Sequence, residues 1–194
     1  KKVLGCNPAT PTFFSLIFPV NFLYVCFMKE NLNLSLIQSH IFWEDVDKNL
    51  SHFERLISKI SQTDIILLPE MFNTAFCPKS NHLAEKMDGK TINWMQEISK
   101  QKNCAIAGTL MITENGKVFN RLVWISANGE IHTYDKHHLF SLIKEERYIS
   151  KGQGRLIIEE QGWKICPLIC YDLRFPVFSR NNVDYDILIY LANW

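Results

Sequence analysis

Ile65-Ile66-Leu67-Leu68-Pro69 is an apolar run with no polar break, and it stops on Glu70. A strand without polar alternation is one that other layers cover on both faces. Ile165 to Ile169 repeats the pattern and stops on Cys170, and a third strand-like segment ends at Tyr134-Asp135-Lys136. Such strands belong to α/β folds, whose sheets expose chemistry in the crevice outside the strand ends. Three reactive side chains at three strand ends constrain this chain more than any bulk property.

The surrounding pattern agrees. Residues 31–38 are expected to form a strand. A helix is expected from about Trp43 to Ile60, because Trp43, Val46, Leu50, Phe53, Ile57 and Ile60 recur at spacings of three and four. Thr91 is positioned to cap a second helix carrying Ile92, Met95 and Ile98. Strands then follow over 104–112, 117–126 and 130–134, with hairpin turns at Asn115-Gly116 and Asn128-Gly129. A further hairpin, 155–159 with 163–170, turns at Gln161-Gly162. A short helical segment near Phe178 precedes a last strand, Asp186 to Leu191. Pro167 is unusual inside a central strand, because it has no N–H for the ladder.

Composition narrows the function classes. The 194 residues suit one domain, and a net charge of +1 without a basic tract gives no nucleic-acid track, so a small molecule is the expected partner. Six cysteines form no C-x-x-C pair and no zinc spacing, so the expected setting is a reducing cytoplasm and neither metal nor cofactor is called for.

The two ends read differently from the middle. Lys1 and Lys2 precede an apolar stretch, Phe13 to Phe27, that Pro19 and Asn21 interrupt and no small-residue cleavage site follows. No membrane anchor is expected from it. Met28 is expected to be the natural start, with residues 1–27 upstream or non-native and 28–194 a single domain. That domain is expected to continue beyond Trp194, because the chain stops just past a core strand.

Each reactive residue has an ordinary alternative. Glu70 beside so much apolar surface suits a general base, yet alone it could be a solvated strand-end carboxylate. Lys136 could stabilise an oxyanion, or simply pair with Asp135. Cys170 at a strand end beside a cation could be a nucleophile, whereas Cys166, four residues earlier, reads as core. His137 and His138 raise a Cys–His alternative, but none of the local signatures of those proteases surrounds Cys170.

Taken together, LLPEMFNTAF, YDKHHLF and PLICYDLRFPVFSRN resemble the nitrilase superfamily of carbon–nitrogen hydrolases, and within it the omega-amidase branch. The resemblance spans about Asn31 to Trp194. It implies a four-layer αββα sandwich, here incomplete at its C-terminal end, and homodimers when full length. It implies Glu70 as base, Lys136 as the lysine and Cys170 as nucleophile of a triad that needs no cofactor. KEERY offers Glu145 and Glu146 for a second glutamate, with Glu145 preferred. The implied reaction hydrolyses the side-chain amide of 2-oxo acid amides such as 2-oxoglutaramate and 2-oxosuccinamate through a cysteine thioester. Tyr171 would then supply an oxyanion N–H, Met71 and Phe72 would line the pocket, and Arg174 would meet a substrate carboxylate or pair with Asp172. Ala75 replaces a glycine usual in that branch, a change expected to alter the loop beside Glu70. Another amidase, a carbamoylase or a nitrilase of the same superfamily, or a binding protein without turnover, are the competing functions.

Overall fold

A computed structural model of the protein describes residues 31–194. The expected start at Met28, the stretch from Phe13 to Phe27, and Cys6 and Cys26 lie outside the described residues.

A five-stranded sheet runs in spatial order β1 (Leu34–Leu36), β2 (Ile65–Leu67), β3 (Ala105–Glu114), β4 (Lys117–Ile125), β5 (Ile131–Asp135). β1, β2 and β3 are parallel, and β3, β4 and β5 are antiparallel. The β3–β4 hairpin closes at Asn115-Gly116, both with positive φ (50° and 74°), the geometry that favours an Asn-Gly pair. A second sheet holds β6 (Ile158–Glu160), β7 (Trp163–Ile169) and β8 (Ile187–Leu191), with β7 in the centre. β6 pairs only with Trp163 to Ile165, so Pro167 falls where β7 has a ladder partner on one side, β8. That accounts for a proline in a central strand.

Alternation along β3 and β4 divides the core. Ile106, Leu110, Ile112, Val123 and Ile125 face the helices α1 (Val46–Ile57) and α2 (Lys90–Lys102), where Leu50, Phe53, Ile57, Ile92, Met95 and Ile98 cover them. Ala105, Ala107, Leu122, Trp124 and Tyr134 face the second sheet and pack on Ile158, Ile165, Leu168 and Ile189. Each fully buried side chain of this size contributes about 1.5–3 kcal/mol. The layering is helices, sheet, sheet, an α/β sandwich of the expected kind. Among the described residues the remaining helix, α3 (Pro176–Ser179), is a single turn.

Asp45 caps α1 by accepting from Lys48 N–H. Thr91 does not cap α2. Gly89 holds that position, while Thr91 sits buried inside the helix and donates its N–H to Glu85 at 2.8 Å. The Glu85 carboxylate comes from outside the helix and takes over the capping role, which local spacing could not show.

Candidate active site

Three strand ends meet at one rim of the inter-sheet layer. The segment after β2 carries Glu70, and the loop around it is pinned by Thr109 of β3. Thr109 O accepts Phe72 N–H at 3.2 Å, and Thr109 Oγ1 accepts Met71 N–H at 2.9 Å. Lys136 follows β5, two residues beyond Tyr134, so it continues the face that looks onto the second sheet. Its backbone is held from both sides, by Lys136 N–H to Asn120 O at 2.9 Å and by Gly152 N–H to Lys136 O at 2.9 Å. Cys170 begins a 3-10 turn, Cys170–Arg174, directly after β7.

Glu70, Lys136 and Glu145 are all fully buried, and Lys136 touches both glutamates. Lys136 Nζ donates to Glu70 Oε1 at 2.9 Å and to Glu145 Oε1 and Oε2 at 3.2 and 3.0 Å. The Phe76 ring lies 5.1 Å from the same ammonium. Burial works against the charge on Lys136, but the carboxylates of Glu70 and Glu145 outweigh it and raise its pKa. Burial pushes Glu145 upward, against the pull of Lys136. Phe140 N–H donates to Glu145 Oε2 at 2.6 Å and holds that carboxylate in place. Glu146 is exposed, so Glu145 is the glutamate that meets the lysine.

Glu70 Oε1 also accepts Asn120 Nδ2–H at 2.8 Å, while Glu70 Oε2 is buried and within the hydrogen-bond limits finds no partner among the described residues. The Cys170 thiol lies within electrostatic reach of this carboxylate. Its pKa is pushed up to about 12, by burial first and by the Glu70 charge second, with Lys136 opposing both. The downward pull of the lysine on the thiol is therefore outweighed. Cys170 has φ 41°, in the left-handed region that costs an L residue about 1–2 kcal/mol. Tyr171, second in the turn, has no helical carbonyl behind it for its N–H to bond. Cys166 is buried in the inter-sheet core.

Other expected site residues fall elsewhere. Phe72 is fully buried among the helices, with ring centroids 5.7 Å from Phe53 and 5.9 Å from Trp94, so it does not line a pocket. Its ring fills the space over Gly108, where an added Cβ would lie 2.7 Å from it. Met71 is equally buried, with Cys77, Met111 and Ile149, and backs the site from behind. Arg174 is exposed and forms no ion pair among the described residues. Asp172 is committed elsewhere.

Asp172 is fully buried and accepts from Tyr134 Oη at 2.7 Å, His138 N at 2.9 Å and Ile169 N at 3.1 Å. His138 Nδ1 lies 2.8 Å from the same carboxylate, and its ring stacks on Phe175 at 3.7 Å. These bonds fasten the Cys170 turn to the Lys136 segment. They also turn His138 to Asp172, and His137 Nδ1 faces Gly152 O at 3.0 Å, so the Cys–His alternative gains no support.

The sequence reading missed Asn120, Thr109 and Asp172. Hairpin arithmetic could have found the first two. A two-residue turn at Asn115-Gly116 pairs Glu114 with Lys117, hence Thr109 with Leu122 and Met111 with Asn120. That register puts Thr109 and Asn120 on one face, two polar residues in an otherwise apolar layer.

The carbon-nitrogen hydrolase family matches residues 33–193. The omega-amidase YafV of Escherichia coli (strain B / BL21-DE3) is 43% identical over 164 residues, covering 84% of this chain and 63% of that protein. The 2-oxoglutaramate amidase of Bacillus subtilis (strain 168) is 30% identical over 167 residues, covering 83% of this chain and 64% of the relative. Among solved structures, XC1258 from Xanthomonas campestris, a CN-hydrolase superfamily protein with an arsenic adduct in its active site, superposes with TM-score 0.82. It is 37% identical, with 84% of this chain and 65% of that one covered. An amidase from Nesterenkonia sp. AN1 shares the fold, with TM-score 0.74 at 17% identity, covering 84% and 67%. The chain thus spans 63% of the length of the Escherichia coli omega-amidase it matches. Family match, fold and the convergence of strand-end residues agree: the chain belongs to the carbon-nitrogen hydrolase family.

Proposed function

We propose that the protein hydrolyses the side-chain amide of 2-oxo dicarboxylate mono-amides, 2-oxoglutaramate and 2-oxosuccinamate, to the 2-oxo acid and ammonia. The observation that carries this is the meeting of fully buried Glu70 and Glu145 on the Lys136 ammonium, with the Cys170 thiol within electrostatic reach of Glu70. The 43% identity to an omega-amidase and the 30% identity to a 2-oxoglutaramate amidase support the choice of substrate.

A neutral thiol needs a base. The unpartnered carboxylate oxygen of Glu70 takes the Cys170 proton as sulfur attacks the amide carbon. The carbonyl π pair moves onto oxygen, and the Tyr171 N–H donates to the resulting oxyanion. Among the described residues, the hydrogen bonds of the Lys136 ammonium all point at carboxylates, so it acts on the oxyanion through its charge. As the carbon–nitrogen bond breaks, Glu70 returns the proton to nitrogen and ammonia leaves a thioester on Cys170. Glu70 then removes a proton from water, the hydroxide adds to the thioester, and as the carbon–sulfur bond breaks Glu70 returns that proton to sulfur, regenerating the thiol and the carboxylate. No step calls for a cofactor. Arg174, exposed and unpaired, is proposed to receive the substrate carboxylate.

The test is ammonia release from 2-oxoglutaramate, 2-oxosuccinamate, an aliphatic amide without the 2-oxo group, a carbamoyl amino acid and a nitrile. Preference for the two 2-oxo substrates is expected. Equal or better turnover of any of the other three would overturn the substrate assignment.

A further inference from the structure

Glu70 has two oxygens with different surroundings, and one neighbour decides which is which. Asn120 and Thr109 are both fully buried in the strands behind it. Thr109 Oγ1 already accepts Met71 N–H, so its own proton goes to Asn120 Oδ1 at 2.7 Å. With its oxygen taken, the Asn120 amide can present only N–H to Glu70 Oε1, at 2.8 Å. The bonds close a ring: Met71 N–H to Thr109, Thr109 to Asn120, Asn120 to the carboxylate of Glu70, the residue before Met71. Met71 itself has φ 48°, a left-handed conformation that the ring holds.

The geometry points to Asn120, set by Thr109, as the positioning residue that occupies Glu70 Oε1 and reserves Oε2 for the cysteine proton. Resting on the amidase reading above, it adds which oxygen works and what selects it. Lys136 alone would leave the carboxylate free to pivot about one bond. Asn120 supplies a second donor from a different strand, and two donors on one oxygen fix the carboxylate plane. The same residue receives Lys136 N–H on its backbone carbonyl at 2.9 Å. Asn120 therefore spaces the base from the lysine as well as orienting it.

Asn120→Leu removes the side-chain bonds and keeps the backbone carbonyl. In this variant kcat for 2-oxoglutaramate should fall roughly 10-fold or more with KM little changed, because only proton transfer is impaired. If Asn120→Leu does not fold, Thr109→Val should lower kcat in the same way and Thr109→Ser should restore it. A folded variant of either residue with unchanged kcat overturns the inference. A readout independent of turnover separates it from the amidase reading. The Asn120 side-chain amide resonances, recognised by their loss in Asn120→Leu, should shift in Glu70→Gln. If they do not shift, the positioning role is wrong whatever the activity. If they shift in a protein that hydrolyses none of the tested amides, the amidase reading alone is wrong.

Discussion

At the scale of single residues, burial and the Glu70 carboxylate both push the Cys170 thiol up, against the pull of Lys136. The sign follows directly. A thiol pushed up to about 12 should give no thiolate absorbance until well above pH 9, measured as the difference from Cys170→Ala. Glu70→Gln removes a cause that raises the value, so the titration should move down. Lys136→Met removes the opposing cause, so it should move up. A parent titration below pH 9 would contradict the arrangement. Lys136→Met also strands two buried carboxylates, a loss of about 3–5 kcal/mol of stability that a denaturant midpoint would register. A loss below about 1 kcal/mol would mean the cluster is not closed to water as described.

Ala75 is the second residue-scale case. Its φ of 63° is a left-handed conformation that suits glycine, so an alanine there leaves strain in the Glu70 loop. Ala75→Gly should stabilise the protein by about 0.5–1 kcal/mol, read from thermal unfolding. No gain would mean the loop has relaxed around the methyl group.

At the scale of elements, the strand ends were legible and the strand interiors were not. Continuous apolar runs located β2 and β7, and Asn-Gly turns located the β3–β4 hairpin, because both signals are local. Glu145 was half legible: the sequence offered two adjacent glutamates, and the 3-10 turn Glu145–Arg147 buries one and exposes the other. Asn120 and Thr109 stayed hidden because a polar residue in a strand looks solvent-facing until the second sheet is stacked over it, and Asp172, in the turn after β7, because its partners Tyr134 and His138 are distant in sequence. Phe72 was misplaced for the converse reason. Its neighbour Glu70 faces the site, but Met71 turns the chain and sends Phe72 to the helical side.

The segment that returns beside Lys136 makes an element-scale prediction. An added Cβ on Gly152 would lie 2.0 Å from Asp135 O, so the two backbones touch there. Gly152→Ala should push the segment off β5, costing about 1–3 kcal/mol and lowering ammonia release, because Lys136 is held by that contact. Unchanged stability and turnover would show that Lys136 is fixed from the Asn120 side alone.

For the molecule as a whole, the site is shared between two sheets. Glu70, Asn120 and Lys136 belong to strands or strand ends of the five-stranded sheet, and Cys170 follows the central strand of the other. Their separation is therefore set by the inter-sheet core around Trp124, Ile165 and Leu168, and by the bonds that join Asp172 to Tyr134 and His138. This layer keeps Glu70 and Cys170 in register.

The central claim is that Cys170 carries an acyl group during turnover, and rapidly quenched reaction with 2-oxoglutaramate followed by peptide mass spectrometry tests it most directly. The account predicts a substrate-minus-ammonia adduct on the peptide bearing Cys170, absent in Cys170→Ala and retained in Cys166→Ala. An adduct on another residue, or ammonia release that survives Cys170→Ala, would contradict it.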